Sequence, residues 1–143
     1  MNISGKLIAA AALSALFSSV PLYAQLGNGV KFTTPFPFYV GTVRMPSGAY
    51  VVNQPHDLFS DVAIIRSANG QRSAQIITNS TESAQMARGT FVTFEKYGHR
   101  YYFDRVRVAG ENYGIAAVPN RSEKRQEEMA SVTSRRSVAV QGE

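Results

Sequence analysis

Between Lys96 and Val108 the chain interleaves four cations, Lys96, Arg100, Arg105 and Arg107, with the rings of Tyr97, Tyr101, Tyr102 and Phe103. Guanidinium and ammonium groups attract anions, and aromatic faces stack on sugars or bases, so the combination points to binding rather than bond-making. A purely structural role competes with that reading. Tyrosines at strand spacing bury their rings with the hydroxyl at the rim, and Arg stems cover apolar surface. The candidate binding surface comprises Lys96, Tyr97, Arg100, Tyr101, Arg105 and Arg107.

Residues suited to catalysis are sparse. His56 and His99 are the only histidines, and neither sits in a two-His helical motif or a cluster of carboxylates of the kind a metal needs. Asp57 and Asp61 could add oxygen ligands near His56, but the spacing signature is missing. Ser47 and Ser60 lack the Gly-x-Ser-x-Gly elbow that would activate a nucleophile beside His56. Glu127 and Glu128 are adjacent, so on a helix they point apart and cannot share acid and base work. The glycines fit turns rather than a phosphate-cradling loop. Asn79-Ser80-Thr81 and Asn120-Arg121-Ser122 fit the glycosylation sequon, which is permissive. We therefore expect no catalytic residue, no cofactor, no metal site and no enzyme activity.

The elements that must position the Lys96 to Arg107 segment are short. From Val30 to Val118, runs rich in Val, Ile, Phe, Tyr and Thr alternate with Gly, Pro and Asn, the pattern of an antiparallel all-β domain. About eight strands are predicted, centred near Lys31, Phe38, Val51, Ile64, Ile76, Phe94, Phe103 and Ala116. A two-residue turn at Gly98-His99 pairs Phe94 with Phe103 and Lys96 with Tyr101, and puts Arg105 and Arg107 on that same surface. Neither face is then cleanly apolar, which a bulge near Asp104 would resolve. Asn69-Gly70 predicts a type I′ hairpin with Ile65 opposite Ala74 and Ala63 opposite Ile76. Pro35 and Pro37 predict an edge strand with one blocked rim, and Met45-Pro46-Ser47-Gly48 a type I turn. Asn79 to Gly89 is compatible with a helical turn or a plain loop.

After Pro119 the apolar density falls. Asn120 and Glu123 have cap spacing for a short helix over Arg121 to Ala130, whose only sizeable apolar residue is Met129. Ser131 to Glu143 reads as a flexible tail.

Residues 1–24 read as an export signal: Lys6 gives the positive start, Leu7 to Phe17 the apolar core, and Pro21 precedes a cut after Ala24. An apolar run this short falls well below the ~20 residues that span a bilayer, so no transmembrane segment is expected after cleavage. The expected organisation is a signal at 1–24, a β domain at 25–118 and a weakly helical, then flexible, segment at 119–143. The mature chain keeps 14 Lys and Arg against 10 Asp and Glu, mildly basic. That balance suits an anionic polymer or lipid surface, and lacks the dense cationic clusters of nucleic-acid binders. With no Cys, neither a disulfide nor a lipidated N-terminal Cys is available.

Three segments in order resemble a group of small exported bacterial proteins of unassigned function. They are Phe36-Pro37-Phe38-Tyr39-Val40-Gly41, then Met45-Pro46-Ser47-Gly48-Ala49-Tyr50, then Phe94-Glu95-Lys96-Tyr97-Gly98-His99-Arg100-Tyr101-Tyr102-Phe103. Ser122-Glu123 also fits, while Met45, Ser47, Tyr102 and Phe103 depart mildly from the group's pattern. The resemblance implies a β fold and export, and brings no catalytic residue.

The expectation is an exported antiparallel β-sandwich or small barrel of seven or eight strands with a short C-terminal helix. Its expected role is a non-enzymatic periplasmic or extracellular interaction protein, with an anionic surface polymer or an envelope protein as partner and no nucleic acid. The alternative is a small β-barrel carrier of an apolar ligand with a cavity beside Phe94 and Phe103. A hydrolase comes third.

Overall fold

The computed structural model describes residues 29–53, 61–130 and 135–143. The export signal predicted at 1–24 lies outside them, as do His56, Asp57 and Ser60. The described chain is all-β with one short helix. Its strands are β1 (Val30–Thr34), β2 (Phe38–Val40), β3 (Val43–Met45), β4 (Gly48–Asn53), β5 (Val62–Ser67), β6 (Ser73–Glu82), β7 (Phe91–Tyr97), β8 (Arg100–Arg107), β9 (Tyr113–Ala117) and β10 (Arg135–Gln141). The helix α1 (Arg121–Met129) falls between β9 and β10.

The ten strands form one mixed sheet along the path β1-β4-β5-β6-β9-β8-β2-β3, with β7 paired to β8 and β10 paired to β7. Only β2 with β8 is parallel, and there a single register pair, Tyr39 with Tyr102, joins them. β6 turns the corner: its first half pairs with β5 and its second half with β9. The sheet is not closed by a continuous ladder. Beyond β10, an isolated bridge joins Gly142 to Phe32, and the Lys31 and Glu143 N–H groups each donate to the other's carbonyl at 2.9 and 2.8 Å.

Period-two alternation explains the core. Ala74, Ile76 and Thr78 of β6 point inward while Gln75 and Ile77 point out, as a half-buried strand requires. Phe32, Phe38, Tyr50, Phe94 and Phe103 supply the large buried rings. Phe94 meets Phe36, Phe38 and Phe103 edge-on at centroid distances of 5.3, 5.1 and 6.3 Å, the geometry ring quadrupoles favour.

Several expectations need correction. The described residues form ten strands, not eight, because β3 and β10 were not foreseen. Arg135–Gln141 is not a flexible tail: it pairs with β7 along its whole length. Pro35 and Pro37 sit in and just after the bend between β1 and β2, not within an edge strand, so they end one strand and aim the next. Asn69-Gly70 keeps the predicted partners, Ile65 with Ala74 and Ala63 with Ile76, but through a four-residue loop. There only Gly70 has positive φ, +72°. Gly70 N–H donates to Ser67 O at 2.8 Å, closing a type I turn, and Asn69 Oδ1 accepts from Gln71 N–H at 3.1 Å. Loops of two and four residues centred on one dipeptide impose the same register, so the pairing survives the change of turn. Asn79 to Glu82 continue β6, and no helix forms between Glu82 and Gly89.

Candidate functional site

The β7–β8 hairpin is built as its sequence demands. Gly98 adopts φ +62° in the two-residue turn, and Tyr97 pairs with Arg100, Lys96 with Tyr101 and Phe94 with Phe103. The register then slips: Thr93 faces Arg105, leaving Asp104 as the extra residue of a bulge at the predicted place. The slip lets Phe103 and Val106, three residues apart, both enter the core opposite Phe94 and Val92.

The same bulge divides the expected cationic surface. Before it, Lys96 and Tyr101 share the parity of Phe94 and Phe103, at the rim of the core face. Beyond it, Arg105 and Arg107 pair with Thr93 and Phe91 on the opposite face. The single surface predicted for Lys96, Tyr101, Arg105 and Arg107 therefore does not exist. Arg105 Nε is held by Asp104 Oδ2 at 2.8 Å, and Arg107 Nη2 donates to the Gln85 carbonyl at 3.0 Å. Tyr97 is 4 % exposed and serves packing, with its ring tilted against Tyr102.

Three of the six residues flank the turn, Lys96 and Tyr101 on the side of Phe94 and Phe103 and Arg100 on the opposite side with Tyr97 and Tyr102. Lys96 Nζ lies 5.2 Å from the centroid of Tyr101, whose ring stacks on Phe36 at 3.9 Å and 12°. Arg100 lies 5.4 Å from the centroid of Tyr39, which stacks on Tyr102 at 5.3 Å and 26°. Each tyrosine thus carries a stacked aromatic neighbour and a nearby cation. The cations themselves are free to act: among the described residues, neither Lys96 nor Arg100 forms an ion pair. Exposed Arg44, cross-strand from Tyr39, flanks the same ring. Phe36, Tyr39 and Arg44 were absent from the predicted surface. The aromatic β2 segment was visible in the sequence, but its parallel docking on β8 was not.

A second constellation lies beneath α1. Asn120 Oδ1 caps the helix by accepting from Glu123 N–H at 2.8 Å, as the spacing predicted. The residue that α1 buries is not Met129, which is 65 % exposed, but Glu123, at 3 %. Burial, reinforced by the Asp104, Glu127 and Glu95 carboxylates, pushes the Glu123 carboxyl up to about 7. Burial and the Glu127 and Glu123 carboxylates likewise push Tyr97 up to about 12, opposed by Arg135. Arg135 of β10 bridges the cluster, with Nη1 2.6 Å from Glu127 Oε1 and Nε 3.8 Å from Glu95 Oε2. The Tyr102 hydroxyl is buried without a well-formed hydrogen bond, although the Arg100 side chain comes near enough to interact with it. Apolar periodicity gives no sign that a glutamate would be the anchor of a helix.

Among the described residues, no group of three or more His, Asp or Glu is placed to hold a metal ion. No helix there is long and apolar enough to cross a membrane. His99 is exposed in the hairpin turn and Ser47 is exposed beside Gly48. Phe94 meets the rings of Phe32, Phe36, Phe38 and Phe103, and both Phe94 and Phe103 are buried. A depression of about 440 Å³ lies elsewhere, on Lys31, Thr33, Ala49, Val51 and Glu143. Neither a protein-family model, nor a curated protein, nor a solved structure matches the chain.

Proposed function

We propose that the protein is an exported, non-enzymatic interaction protein of the envelope or extracellular space that holds an anionic polymer at the turn end of the β7–β8 hairpin. One observation carries this reading: Lys96 and Arg100, on the two sides of the turn, lie over tyrosine rings and form no ion pair among the described residues, and Arg44 is cross-strand from the Tyr39 ring that Arg100 covers. A cation held over a ring loses less conformational freedom on meeting an anion than one on a free stem. Because the Tyr101 and Tyr39 rings already stack on Phe36 and Tyr102, recognition works through charge and spacing more than through stacking. The export signal read at residues 1–24 supports a location where such polymers occur.

The test compares two double variants in calorimetric binding to a polyuronate at low salt. Lys96→Ala with Arg100→Ala should weaken binding at least tenfold, and Arg105→Ala with Arg107→Ala less than twofold. Equal losses, or loss only in the second pair, would refute the assignment.

A further inference from the structure

The described chain also contains a device independent of the hairpin surface. α1 has one buried residue, Glu123, and the charged groups that act on it are carboxylates. Every element around it presents a titratable or charged group: Asp104 from β8, Glu95 and Tyr97 from β7, and Glu127 from α1 itself. Arg135 from β10 is the one cation in ion pairs there among the described residues, and it is engaged by Glu127 and Glu95, not by Glu123. A helix fixed by a buried carboxyl that forms no ion pair among the described residues, and that three other carboxylates act on, is held well only while that carboxyl carries a proton.

We propose that α1 is a proton-dependent latch: protonated Glu123 docks the helix on the outer face of β7 and β8, and ionisation of Glu123 releases it. Release uncovers Tyr97 and Tyr102 and frees Arg135 from Glu127, while the core-facing side of the sheet keeps its packing. The sign follows from linkage. An acid whose pKa is higher in the docked state binds more protons there, so docking is strongest below the ordinary carboxylate range and weakens as pH rises. The loss begins near 4.5, the ordinary value, and is complete above about 7, the docked value. Between pH 5 and pH 8.5 the docking equilibrium falls roughly 80-fold.

The experiment measures amide hydrogen exchange in the full chain at pH 5 and pH 8.5, corrected for intrinsic exchange rates. Protection of residues 121–129 should drop between tenfold and about 80-fold at the higher pH. Protection of residues 91–94 and 103–106 should hold within threefold. In Glu123→Gln, which keeps the shape and cannot ionise, protection of α1 should differ less than threefold between the two pH values. Equal wild-type protection at both pH values overturns the latch, as does a Glu123→Gln helix that still loosens. Should that variant not fold, carboxyl ¹³C titration of the wild type decides: a Glu123 midpoint near 7 supports the latch, and one near 4.5 refutes it. None of these outcomes depends on polymer binding, so the two proposals stand or fall separately.

Discussion

Replacing Phe94 by alanine is the sharpest trial of the core. The side chain is 0 % exposed, and its ring touches three neighbours edge-on, Phe36, Phe38 and Phe103, with Phe32 tilted at 6.0 Å. Truncating a buried Phe costs about 3–5 kcal/mol through lost transfer free energy and the cavity left behind. Aromatic pairs add about 0.5–1.5 kcal/mol each beyond area, and several are lost at once here. A loss near the top of the range, about 4–5 kcal/mol, is therefore expected. Domains of this size hold only about 5–15 kcal/mol in total, so the variant should fold marginally. Urea unfolding followed by far-ultraviolet circular dichroism measures the change, with an unaltered slope confirming that the unfolded surface is the same. Phe91, on the same strand but 42 % exposed, is the control, and Phe91→Ala should cost under about 1 kcal/mol. A loss below about 2 kcal/mol at Phe94, or an equal loss at Phe91, would refute the argument that these rings form the centre of the fold.

Other expectations follow from the helix and the last strand. Asn120→Ala removes the cap and should destabilise α1 by about 0.5–2 kcal/mol, seen as faster exchange of its first amides. Ending the chain before Arg135 strips β7 of its outer partner along its whole length, and the bared edge should show concentration-dependent association in size-exclusion chromatography. Urea unfolding of the wild type should yield about 2–3 kcal/mol more stability at pH 5 than at pH 8.5 relative to Glu123→Gln. That difference should accrue between pH 4.5 and about 7.

Much of the ladder could be read from residue types alone. Each predicted strand centre, from Lys31 to Ala116, falls in a strand, because alternating Val, Ile, Phe and Tyr mark surfaces buried on one side. The bulge at Asp104 was legible for a different reason: Phe103 and Val106 cannot both face inward without an extra residue between the ladders. β3 escaped notice because three residues between two turns carry no period. β10 is exposed along most of both faces, so its strand character comes from the β7 backbone it pairs with, not from its own apolar pattern. The proposed surface was legible only in part. Lys96, Arg100 and Tyr101 could be placed beside the turn, but the pleat reset at the bulge separates Arg105 and Arg107, and tertiary packing alone brings Tyr39 and Phe36 to the hairpin. Glu123 was visible as a cap partner and invisible as an anchor, since hydropathy patterns do not mark a carboxyl that folding buries.

The central claim, that anions meet this protein at the turn end of β7–β8, is tested most directly by mapping amide chemical shifts during titration with a polyuronate. Changes confined to residues 36–44 and 96–101 that fade as salt is raised are the predicted result. Changes centred on residues 105–107 or on the depression beside Lys31 and Glu143, or changes indifferent to salt, would contradict it.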